Sequence, residues 1–187
     1  MKPARQRSDR LSTTVYNYQE NIMTNQTNNT NHINHINQTN HTNHINHINK
    51  TAIITGASRG IGAAIAKKLA SCGYNLSLCC RNSSDRLKAL ADELHCAYGI
   101  EVLCYTGNVG DFFFAKDMVA NTISHFGHID VLINNAGISH IGLLSDMTPE
   151  EWNNIVAINL TGVFNFTKLV IPYMVADKCG RILQISS

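Results

Sequence analysis

The chain is 187 residues long, with 44% hydrophobic and 15% charged side chains, and its 15 basic against 13 acidic residues leave a formal net charge of +2. This length holds one globular domain with residues to spare, while so slight a charge, gathered into no basic stripe, excludes the polyelectrolyte footprint of a nucleic-acid binder. With no uninterrupted run of about 18 apolar residues and no apolar core in its polar N-terminal stretch, the sequence predicts neither a membrane-spanning helix nor a secretory signal, and we expect a cytoplasmic protein.

Residues 1–49 read as a low-complexity tail. From Asn21 to Asn49 the chain is almost entirely Asn, His, Thr, Ile and Gln in a three-residue beat, as in Asn43-His44-Ile45-Asn46-His47-Ile48. Such a segment cannot bury a core and is expected to be disordered. His32, His35, His41, His44 and His47 are separated by multiples of three, which would align them on one ridge of an extended helix of about three residues per turn. A loose metal-binding tail is the alternative, but no partner ligands accompany the histidines and no metal site is predicted.

Residues 50–187 form the domain. Apolar runs of strand length are predicted at Thr51–Thr55, Asn75–Cys80, Glu101–Tyr105, Val131–Asn134 and Arg181–Ser186, alternating with helices near Gly60–Cys72, Asp85–Ala97, Asp111–His125 and Glu150–Asp177. In the first helix Ile61, Ile65 and Leu69 recur at i, i+4 and i+8, predicting the stripe that packs on the sheet. The last helix has a strong start signal in Thr148, Pro149 and Glu151, and Pro172 is expected to kink it near its end. Right-handed crossovers then give an α/β fold, a Rossmann-like doubly wound parallel sheet of order 3-2-1-4-5. The six cysteines show neither zinc spacing nor the density of a disulfide scaffold and are expected to be reduced, mostly buried thiols.

The first strand empties directly into Gly56-Ala57-Ser58-Arg59-Gly60-Ile61-Gly62. Glycine count alone would indicate only a tight connection. Between a buried strand and a helix start, however, such a turn aims free N–H groups and the helix dipole at an anion, which points to a dinucleotide diphosphate. Gly56 permits the turn, Gly60 lets the diphosphate approach, and Gly62 lets helix pack on strand. At the end of the second strand, where an acid would bind the ribose 2′-hydroxyl of NAD, stands Cys80-Arg81-Asn82. Arg81 and Arg59 can converge on a 2′-phosphate, which favours NADP (NADPH) over NAD.

Thr55-Gly56-Ala57-Ser58-Arg59-Gly60-Ile61-Gly62, Asn134-Asn135-Ala136-Gly137 after the fourth strand and Asn159 in the long helix together resemble the short-chain dehydrogenase/reductase family over Lys50–Ser187, most of all its 3-oxoacyl-acyl-carrier-protein reductase group. The resemblance implies an NADPH-dependent carbonyl reductase acting on a 3-oxoacyl-carrier-protein-like ketone in fatty acid biosynthesis, with homo-oligomeric full-length members. It places the diphosphate on Gly56, Ser58, Arg59, Gly60, Ile61 and Gly62, and sets Asn135, Ala136 and Gly137 beside the cofactor. Asn108-Val109 stands where the family has Asp-Val against the adenine; an asparagine carbonyl accepts the same bond more weakly. Asn159 shares its stripe with the apolar Ile155, Val156 and Val163, so its amide is expected to be buried and partnered. By itself that suggests a structural bond between helices; the resemblance makes it the catalytic asparagine that holds a water in a proton relay. Ser187 is either a polar strand terminus or, by resemblance, the catalytic serine that polarises the substrate carbonyl. His140, in the loop bordering the substrate, is either an ordinary half-exposed histidine or part of the chemistry.

The departure from the family lies at the end. The 187 residues contain no Tyr-x-x-x-Lys, and Tyr173 is followed four residues on by Asp177. A positioned proton donor is worth about 10²–10⁴-fold in rate, so the chain as it stands is expected to be an inactive fragment of a reductase. The alternatives are a non-catalytic nucleotide-binding or interaction module and a reductase of a different ketone.

Overall fold

The computed structural model describes residues 49–186; the tail before Asn49, with its proposed disorder and its histidine ridge, and Ser187 lie outside the described residues. Five parallel strands, β1 (Thr51–Ile54), β2 (Asn75–Cys80), β3 (Val102–Thr106), β4 (Val131–Asn134) and β5 (Arg181–Gln184), stand in the order β3-β2-β1-β4-β5. This is the predicted doubly wound sheet. Every residue of β1, β2 and β4 is buried, as expected for strands covered on both faces. Alternation along β1 feeds two cores. Ala52 and Ile54 face Ala66, Ala70, Leu87, Leu90 and Leu94 of α1 (Gly60–Ser71) and α2 (Ser84–Tyr98). Ile53 faces Met118, Val119, Phe166 and Val170 of α3 (Phe112–Phe126) and α5 (Gly162–Ala176).

The stripe predicted for α1 is displaced by one residue. Gly62, Ala66 and Ala70 turn to the sheet, Ile65 and Leu69 flank them half-buried, and Ile61 is 61% exposed. Small side chains win the inner face because the helix starts hard against the loop leaving β1, where nothing larger fits. The predicted long helix is present as one unbroken run, Pro149–Ala176, but it is not α-helical throughout: α4 (Pro149–Val156) passes through a π-helical turn, Ala157–Thr161, into α5. Pro172 sits inside α5 without ending it. The start signal is as read. Thr148 Oγ1 accepts from Glu151 N at 3.2 Å while Glu151 Oε2 accepts from Thr148 N at 2.8 Å, with Pro149 in the first turn. All six cysteines are free thiols, but only Cys79 and Cys80 are buried; Cys72 closes α1 and Cys96 lies on the outer side of α2, both exposed.

Candidate functional site

Strand order reverses between β1 and its neighbours β2 and β4, and the loops leaving the carboxyl ends diverge there, opening a cleft of about 580 Å³. Its wall is built from five segments far apart in sequence. The loop after β1 gives Gly56, Ser58, Arg59, Gly60 and Ile61; β2 gives Cys80, Arg81, Asn82 and Ser83; β3 gives Gly107, Asn108 and Val109; β4 gives Asn135, Ala136, Gly137 and Ile138; and Ile158 closes it from the π turn. All residues expected to hold a cofactor line this cleft except Gly62, which lies beneath it. Sequence reasoning missed Ser83, Gly107, Ile138 and Ile158 as lining groups, and gave Cys80 and Asn82 only as the neighbours of Arg81. The first three follow strand ends and could have been found from that adjacency, whereas Ile158 reads in sequence as one more apolar helical residue.

Thr55 is the hinge of the arrangement. The β1 ladder ends one residue before it, and its buried hydroxyl accepts from the N–H groups of Asn135 (2.9 Å) and Ala136 (3.0 Å). Asn135 Nδ2 returns bonds to the carbonyls of Thr55 (3.0 Å) and Gly56 (3.1 Å). The loops after β1 and β4 are thereby stitched together, and the stitch leaves no room for side chains. A Cβ at Gly56, whose φ is +67°, would lie 2.8 Å from Ala136 Cα, and one at Gly62 would lie 2.5 Å from both Asn135 Nδ2 and Gly56 O. Arg59 precedes α1 without a side-chain cap, and no acid occupies the first turn, so the positive end of the helix is left to the cleft. Beneath the loop, burial pushes the Cys79 thiol up to about 12, partly offset by the Gly56 backbone, so this floor carries no negative charge.

Among the described residues lining the cleft, the charged side chains are both guanidinium groups, Arg59 and Arg81, and none is a carboxylate. Arg81 Nη1 reaches Asn154 Oδ1 of α4 at 3.5 Å. Asn108 spends one lone pair of Oδ1 on Gly110 N (3.0 Å), leaving the other for a ligand. A cradle closed to any Cβ at Gly56 and Gly62, an uncapped helix start and two cations, with no anion among the described lining residues, fit a dinucleotide. Asn159 is partnered as expected but exposed rather than buried: it lies in the π turn, outside the lining of the cleft. Its Oδ1 accepts from Ile138 N (2.9 Å) and its Nδ2 donates to Ile138 O (2.8 Å), so it braces the loop after β4. The buried amide of this helix is Asn165 instead. His140 Nδ1 stands 3.8 Å from Glu151 Oε1, whose carboxyl is held below the usual range by the Thr148 backbone N–H first and its hydroxyl second.

The family profile for short chain dehydrogenase matches residues 50–187. The 3-oxoacyl-[acyl-carrier-protein] reductase FabG of Staphylococcus epidermidis is 41% identical over 138 residues, 74% of this chain and 56% of that protein. D-beta-hydroxybutyrate dehydrogenase of Cupriavidus necator is 38% identical over 74% of this chain and 53% of its own length. A metagenomic short-chain oxidoreductase solved in complex with NADP superposes with a TM-score of 0.70 at 37% identity, covering 74% of this chain and 62% of the other. The chain thus spans about half the length of the curated relatives it matches. Its glycine cradle, its stitched loops after β1 and β4 and its sheet order lie within the matched stretch, and the chain belongs to the short-chain dehydrogenase family.

Proposed function

We propose that this chain carries the nucleotide-binding part of an NADPH-dependent carbonyl reductase whose substrate is a ketone of the 3-oxoacyl-carrier-protein type, in fatty acid biosynthesis. The observation that carries the reading is the cleft itself, with a cradle at Gly56 and Gly62 closed to any Cβ, the uncapped start of α1, and Arg59 and Arg81 with no carboxylate among the described residues that line it. The diphosphate would rest on the Gly56–Ile61 loop, the 2′-phosphate between the two arginines, the adenine against Asn108 and Val109, and the nicotinamide half along Asn135, Ala136 and Gly137. NADPH, when bound, supplies the hydride. This chain's own residues bind and orient it: Asn135 fixes the cradle, Asn159 holds Ile138 at the rim, and Ser187 takes the role of polarising the ketone. The name of the staphylococcal relative supports the ketone class. A second reading, a short-chain oxidoreductase of another ketone or hydroxy acid, is favoured by the hydroxybutyrate dehydrogenase relative.

A soluble cytoplasmic location, homo-oligomerisation of the whole enzyme, and the absence of nucleic-acid or membrane partners belong to the same proposal. Titration followed by NADPH fluorescence tests the reading. We expect saturable binding, with NADPH at least about tenfold tighter than NADH. A folded chain that takes up neither coenzyme at millimolar levels would overturn it.

A further inference from the structure

The loop after β3 reaches the cleft through Gly107, Asn108 and Val109 and is seated on the long helix at both ends of the π turn. At one end Gly110 lies so close to Ala157 that a Cβ there would be 2.7 Å from its carbonyl oxygen; at the other, a Cβ at Gly162 would be 2.8 Å from Val109 Cγ2. Gly107 N bonds Cys80 O at 2.9 Å beside the last paired residues of β2 and β3, and Asn108 closes the turn internally with bonds to Gly110 N and Asp111 N, both 3.0 Å. The side-chain tie from outside is Asn165. Only 2% exposed, it donates from Nδ2 to Val109 O at 3.1 Å and to Gly110 O at 3.2 Å. A leucine would fill that volume without burying a polar group, so what the amide adds is directional: it fixes where two neighbouring carbonyls point. Asn159, earlier on the same helix, does the equivalent for Ile138 on the opposite wall.

We infer that Asn165 is a positioning residue for the dinucleotide, setting the Asn108–Val109 wall of the cleft without touching the ligand. The inference rests on the NADPH reading above. Asn165→Leu and Asn165→Ala both delete the Nδ2 donor. Titrated with NADPH and separately with 2′,5′-ADP, each variant is expected to bind both ligands about tenfold more weakly, with faster hydrogen exchange confined to amides of the Gly107–Asp111 loop. Thr122→Val separates positioning from stability, because it removes the buried Ser77–Thr122 hydroxyl bond (2.7 Å) between β2 and α3. It is expected to lower Tm yet leave both affinities within about twofold.

Folded Asn165 variants that bind like the parent chain overturn the inference alone, as does an equal loss of affinity in Thr122→Val. A parent chain that binds neither ligand overturns the NADPH reading and this inference with it. Should both Asn165 variants fail to fold, the parent chain still decides: Val109 and Gly110 amides that exchange as fast as those of the exposed Ile141–Leu144 loop, with or without NADPH, overturn the inference.

Discussion

Gly62→Ala is expected to destabilise the chain even though it places the best helix former inside a helix. On propensity alone the change should gain about 1 kcal/mol. Against that, the new Cβ would lie 2.5 Å from Asn135 Nδ2, 2.5 Å from Gly56 O and 3.0 Å from Gly56 C, where ordinary contacts begin at 3.4 Å. Neither neighbour yields freely. Gly56 is backbone in a left-handed turn, and Asn135 Nδ2 is held by the carbonyls of Thr55 and Gly56 at 3.0 and 3.1 Å. Overpacking of this kind costs about 1–3 kcal/mol, and loss of one stitching bond adds about 1 kcal/mol, so the balance is a net destabilisation of about 1–3 kcal/mol. Urea unfolding followed by far-UV circular dichroism measures it, with Ala64→Gly on the exposed side of α1 giving the propensity effect in the same helix. The displaced loop should also weaken NADPH. An unchanged or higher midpoint for Gly62→Ala, by the amount Ala64→Gly loses, would refute the close approach of α1 to the β1 loop.

Arg81→Ala should raise the Kd for NADPH about 10–100-fold and leave NADH unchanged; equal effects on the two coenzymes would contradict the 2′-phosphate assignment. Thr55→Val keeps the shape but leaves the Asn135 and Ala136 N–H groups without their acceptor, at a cost of about 2–4 kcal/mol in urea unfolding, and a loss below about 0.5 kcal/mol would show that the hydroxyl is not the hinge described. Burial pushes the thiols of Cys79 and Cys104 up to about 12, well above the ordinary thiol value, so at pH 8 a disulfide reagent should label the exposed Cys72 and Cys96 and leave these two untouched until the chain unfolds. Since both groups bind their protons more tightly when folded, their stabilising contribution is complete below pH 9 and is lost as pH rises toward 12. Unfolding midpoints that hold steady across that alkaline window would refute this.

What could be read in the sequence was what depends on a few consecutive residues. The glycine loop was legible because its requirements are local: a positive φ at Gly56 and no Cβ at Gly62, between a buried strand and a helix start. The capping box of α4 was legible for the same reason. Sheet order followed from the alternation of strands and helices through the handedness of crossovers. The errors lie where tertiary packing decides. Ile61 satisfies the helical period yet faces the cleft, because Gly62 is the residue that must face the loop from β1. The apolar Ile155 and Val156 suggested that the stripe through Asn159 faces inward, but α4 buries none of its residues, and the inward stripe begins at Ile158 and runs through Gly162, Asn165 and Phe166. The π turn between them, frequent at functional sites, has no sequence signature comparable to a cap. The resemblance singled out Asn159 and gave no reason to look at Asn165, because the first faces a loop whose importance the family motif advertises and the second faces backbone carbonyls, which sequence cannot see. Both amides bond to a wall of the same cleft, one from within the π turn and one from the helix just after it, which is why that irregular turn belongs to the site as much as the glycines do.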